Sequence, residues 1–262
     1  MPYKIAKEAE PQFTLLLVAT LLSIALWVIS WYFPVFGYIV YPIQLFATFV
    51  HEGGHVLATV LTGNSVQSLT VSPDTSGAVW SQSAGWFSQL LISSSGYLGT
   101  TAFGALLLAW MRFGYSSRIA LFASAGFVGV MTIVFGLFAP FWNFLSTVTL
   151  GSVAFTVVSG LAITGILAAI GFFANAKWVN FSVAFLAVQC LLNAMFSLVT
   201  LLVITTTTGG HSDAVNMATA TGIPSLVWVL VWFGVSILMI SIGLRVYAVG
   251  KNRKATDSVF ED

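Results

Sequence analysis

Between Pro11 and Thr256 this chain carries three acidic residues, Glu52, Asp74 and Asp213, and whole stretches of it hold no charge at all. That scarcity constrains the fold more than any local propensity. A soluble domain is about 25% charged; here the figure is 6%, against 58% hydrophobic residues, so water cannot be the medium for most of the surface. A helix needs about 20 apolar residues to cross a bilayer and satisfies its own backbone on the way. Segments 13–33, 37–61, 85–111, 118–138, 150–173, 178–204 and 224–247 meet that length, giving about six to seven transmembrane helices. The expected fold is an all-α polytopic membrane protein, one integral domain over residues 1–262 with polar tails at 1–11 and 251–262. The first stretch exceeds a signal-peptide core of about 7–15 residues, and it closes on Trp31, Tyr32 and Phe33 before Pro34 instead of a small-residue cleavage pattern. It reads as an uncleaved span in an integral, multi-pass protein whose medium is the lipid bilayer. A net charge of +1 gives no basis for binding nucleic acid. The one cysteine, Cys190, sits in an apolar run and reads as a small buried hydrophobe.

Two connections are long enough to carry structure of their own. Residues 62–84 place β-branched alternation on either side of Ser72-Pro73-Asp74-Thr75-Ser76-Gly77, the pattern of a hairpin or β-loop. Asp74 belongs to that turn and reads as solvated. Residues 205–222 run through a threonine-rich stretch to His211-Ser212-Asp213, then into a short helix over 214–221 capped by Ser212 or Asp213.

Chemistry concentrates in the second apolar segment, at His51-Glu52-Gly53-Gly54-His55. Histidines at i and i+4 lie on one helix face, one turn apart, where both imidazoles can reach one metal ion. The glutamate between them is the residue type that takes a proton from a metal-activated water. Inside a membrane such groups are costly unless they face a partner or a cavity. A catalytic zinc needs a third protein ligand, and the remaining candidates are few: Asp74, Asp213 and His211. Counting spans puts both long connections on the side where the second span ends, roughly 10–15 Å from the histidines at 1.5 Å per residue. Asp213 could therefore reach them, as ligand, as helix cap, or as both; His211 reads as a ligand, an outer partner or a plain loop residue. Gly53 and Gly54 either allow close helix packing or leave room for a substrate backbone. Asn193 and Gln189 either tie helices together or hydrogen-bond a substrate.

The motif with Val56-Leu57-Ala58 and Leu61-Thr62-Gly63, the Ser72–Gly77 turn, Ser95-Gly96-Tyr97-Leu98-Gly99 and Ser212-Asp213-Ala214 together resemble the bacterial peptidase-like branch of the site-2 protease family. The resemblance runs from the second span to the seventh. It implies an intramembrane zinc metalloprotease of a bacterial cell membrane, with one zinc ion held by His51, His55 and Asp213 and Glu52 as general base. Its substrate would be a membrane protein or peptide, with His211 and Asn193 available as outer or substrate-binding groups. The sequence departs from the better-known members, whose third ligand lies in an Asn-x-x-Pro…Leu-Asp-Gly pattern. Asn193 has no following proline, and Asp213 lacks the flanking Leu and Gly. The alternative is a catalytically inactive, metal-binding membrane scaffold or regulator.

Charge gives two answers on orientation. Lys4 and Lys7 flank the site-bearing side, whereas Arg112, Arg118, Lys177, Arg245, Lys251, Arg253 and Lys254 flank the other. Positive-inside counting puts the site on the extracytosolic side; the resemblance implies that it opens toward the cytosol.

Overall fold

The computed structural model describes residues 10–82, 85–207, 210 and 212–249. Seven long helical stretches occupy the seven predicted segments: α1 (Glu10–Tyr32), α2 (Pro34–Leu61), α3 (Trp86–Arg112), α4 (Ser117–Val130) with its continuation, α6 (Leu150–Phe173), α7 (Ala176–Thr207) and α9 (Ser225–Val249). The continuation of α4 is π-helical over Met131–Phe138 and closes with the short α5 (Ala139–Trp142). A short helix, α8 (Asp213–Thr221), precedes α9. Among the described residues, α3, the Ser117–Trp142 rod, α6, α7 and α9 are long and apolar enough to cross a membrane. The described apolar stretch of α1 is shorter, Thr14–Leu26. In α2 the motif that carries the chemistry dilutes the apolar run.

Local sequence explains where the helices begin and end. Pro34 opens α2 at a first-turn position, where a missing N–H costs nothing. Thr149 and Ser152 form a reciprocal capping box at the start of α6. Ser212 caps α8, its hydroxyl accepting from Val215 N at 3.4 Å. Gly222 ends α8 in the left-handed region at φ 73°, a conformation that costs a residue without Cβ nothing.

The predicted hairpin is present as β1 (Val66–Val71) and β2 (Gly77–Ser81), antiparallel, with Val71 opposite Gly77 and Leu69 opposite Val79. Strand β1 is the buried one: Leu69 and Val71 are inaccessible, and Val71 N donates to Thr156 Oγ1 on α6 at 2.9 Å. The turn is tied to α2, with Tyr41 Oη donating to Pro73 O at 2.9 Å and Thr48 Oγ1 to Thr75 O at 2.7 Å. Asp74 accepts from the backbone and hydroxyl of Ser76, which holds its exposed carboxyl below the usual carboxylate range.

Helices α2 and α3 pack backbone to backbone. A Cβ on Gly54 would run into the Ser95 carbonyl, and one on Gly53 into the Phe127 ring. Both glycines therefore serve close packing. Gly54→Ala is expected to cost about 1–3 kcal/mol through overpacking, lowering the thermal unfolding midpoint of the purified protein. An unchanged midpoint would show that the two helices can part here freely.

Candidate metal centre

The centre is built from three elements that meet at one end of the bundle. On α2, one turn of helix brings the His51 and His55 rings edge to face with centroids 4.9 Å apart. Beneath them runs the backbone of α3: a Cβ on Gly96 would collide with Nε2 of both histidines. The same helix fixes one ring. His55 Nδ1 lies 2.7 Å from the Ile92 carbonyl, which can only accept, so Nδ1 carries a proton and Nε2 is the ring atom turned to the centre. The His51 ring is backed by Tyr97 at 4.6 Å, and Tyr97 stacks on Trp232 of α9 at 5.4 Å. Trp232 is itself held by donating to Ser94 Oγ at 3.0 Å.

The third element is α8. Because Ser212 takes the capping role, the carboxylate of Asp213 is free to turn inward. Its Oδ2 lies 3.4 Å from His55 Nε2 and 3.9 Å from His51 Nε2. Burial opposes its charge, but the two imidazoles outweigh burial and hold the carboxyl below the ordinary range. The three donor atoms lie within 4.8 Å of one another. Ligands sharing a tetrahedral ion at about 2.0–2.2 Å would be separated by roughly 3.3–3.6 Å, so the set needs only a small contraction to close on a metal. Two imidazoles and one carboxylate are a donor set suited to zinc.

Glu52 is buried, with 5% of its surface exposed, and its carboxylate lies against Gly77 of β2. A Cβ there would meet Glu52 Oε1 at 2.6 Å. Glu52, Asp213, Tyr97, Trp80 and Asn193 all border a cavity of about 1290 Å³ that reaches from the hairpin to α7.

A protein-family model, Peptidase M50B-like, matches residues 15–243. The chain belongs to that family. Its members are intramembrane metallopeptidases of the site-2 protease family, in agreement with the resemblance carried by the motif and with the apolar helices of an integral membrane protein. No curated protein and no solved structure matches the chain.

The structure brings together four residues that the sequence singled out, His51, Glu52, His55 and Asp213, and places Asp74 in the exposed hairpin turn. Asn193 borders the cavity from α7 and accepts from Ser197 Oγ at 3.4 Å. Its neighbour Gln189 is the helix tie, donating to Ser23 Oγ of α1 at 3.0 Å. His211 lies outside the described residues. Three contributors had no role assigned from sequence: Gly96, Gly77 and the Tyr97–Trp232 stack. The Ser-Gly-Tyr-Leu-Gly run marked Gly96 and Tyr97 as part of a pattern; nothing local marks Trp232.

Proposed function

We propose that this protein is an intramembrane zinc metalloprotease that hydrolyses peptide bonds of membrane-associated polypeptides. The observation that carries the reading is the convergence of His51, His55 and Asp213 donor atoms beside a buried Glu52 at the wall of a large cavity. Zinc held by these three side chains supplies a Lewis acid that polarises a peptide carbonyl and acidifies water near neutral pH. Glu52 takes the proton of the attacking water as its oxygen adds to the carbonyl carbon. When the C–N bond breaks, Glu52 returns that proton to the departing amine.

A helical substrate hides its scissile carbonyl and must first unwind. Strand β2 offers a place for the extended segment: β1 occupies one of its edges, and its other edge pairs with no strand among the described residues. Residues 77–81 all border the cavity. Main-chain hydrogen bonds to that edge would hold an extended peptide as an added strand, and the close approach of Gly77 to Glu52 sets such a peptide next to the general base. Asn193, on the facing wall, has an amide to offer the substrate backbone.

Asp213→Ala tests the ligand set. Losing even an outer partner of a metal ligand costs about 10–100-fold in affinity, so losing a direct ligand is expected to weaken zinc binding more than about 100-fold and abolish cleavage. Full zinc occupancy in the purified variant would remove Asp213 from the set. Stoichiometric zinc in the wild type without any peptide hydrolysis would favour the scaffold.

A further inference from the structure

We infer that the metal centre sits at the extracytosolic end of the helix bundle, so that its substrates are cut at the end of a membrane segment that emerges outside the cytosol. The inference deepens the proteolytic reading and rests on it for the word substrate; the orientation itself stands on charge and packing.

All four described cations lie at one end of the bundle. Arg112 ends α3, Arg118 lies in the first turn of α4, Lys177 in the first turn of α7, and Arg245 in the last turns of α9. Contacts show that these helix ends are neighbours. Arg118 donates to Gly171 O and, at 2.8 Å, to Ala174 O at the close of α6. Arg112 lies close enough to Tyr247 of α9 to act on it electrostatically.

The metal centre is at the other end. Ile92 and Tyr97 lie in the first half of α3, Trp232 in the first half of α9, and α8 enters just before α9. The connections at that end are the hairpin, residues 143–149 and residues 208–224, and none contains a lysine or arginine. Asp74 and Asp213 are there instead. In the sequence, Lys4 and Lys7 precede α1, and Lys251, Arg253 and Lys254 follow α9. Among the described residues the count is four cations at one end against none at the other. Lysine and arginine in short connections resist transfer across the membrane and are drawn to the anionic cytosolic leaflet, whereas acidic residues contribute little to orientation. The basic end is therefore cytosolic and the hairpin, α8 and the cavity face the opposite compartment.

Two exposed serines report the two ends. Ser146 lies in the 143–149 connection, which is joined to the hairpin by Asn143 Nδ2 donating to Gln67 O at 3.2 Å. Ser116 lies between α3 and α4. With the buried Cys190 as the natural background, a membrane-impermeant maleimide applied to intact cells is expected to label Ser146→Cys. It should label Ser116→Cys only after the membrane is opened. The reverse pattern overturns the inference, and so does equal labelling of both in intact cells. A phosphatase fused after Asp262, functional only outside the cytosol, should be silent; an active fusion also overturns it. Labelling needs no turnover, so the same pattern is expected in Glu52→Gln. If the pattern holds while no peptide is hydrolysed, the orientation stands and the proteolytic reading falls.

Discussion

Glu52→Gln is expected to keep its zinc and its thermal stability while losing peptide hydrolysis by about 10²–10⁴-fold, the range a positioned general base supplies. Glutamine matches glutamate in shape, so the packing against Gly77 survives. What it lacks is a carboxylate able to accept and return a proton. The separation of binding from chemistry is sharp because Glu52 is not among the three convergent donor atoms, which come from His51, His55 and Asp213. Metal analysis and a cleavage assay on the same purified sample give both readouts. Undiminished cleavage would sink the mechanism, and lost zinc would mean that Glu52 supports the ligands directly.

The second large effect is expected at a residue with no functional group. Replacing glycine by alanine inside a helix ordinarily stabilises it by about 1 kcal/mol. At position 96 the sign reverses, because the added methyl would occupy the space of both histidine Nε2 atoms. Either α3 retreats or the rings swing away, and a misplacement of about 1 Å is enough to cost about 10²-fold in rate. Gly96→Ala is therefore expected to lower zinc content and to reduce hydrolysis by at least about 100-fold. Gly99→Ala is the control on the same helix, since its methyl would meet only Gly54 Cα at an ordinary 3.5 Å. If Gly96→Ala bound zinc like the wild type, the backbone of α3 would not be the floor of the site.

Much of this architecture was legible in the sequence because a membrane leaves few options. Apolar length located the seven helical stretches, and turn chemistry located the hairpin to within a few residues. The histidine pair declared itself by helical spacing. Asp213 was reachable by elimination, since a chain with three acids in its apolar body has few places to find a carboxylate. Whether it capped α8 or faced inward was left open by its position beside Ser212. The hydroxyl of Ser212 takes the cap, and that resolves the choice. Other parts left no local trace. Tyr97 meets Trp232 from a helix far along the chain, and no periodicity records such a pairing. The π-helical turn over Met131–Phe138 reads in sequence as an ordinary apolar span; within it Gly136 packs against Thr156, where a Cβ would stand 3.0 Å from Cγ2. The meaning of Gly96 is a void shape, visible only once the rings it shelters are in place.

The division of the donor set between α2 and α8 also bears on how the chain holds itself together. His51 and His55 sit on a helix of 28 residues, whereas Asp213 rides on a nine-residue helix between two loops. An ion held by all three side chains would clasp the smaller element to the longer one. Ligand binding to the folded state alone adds RT ln(1 + [L]/Kd), about 2.7 kcal/mol at a hundredfold excess over Kd. Loading of the centre would thus also tighten the hold on α8, adding to the packing of Ala214 and Met217, both inaccessible to solvent.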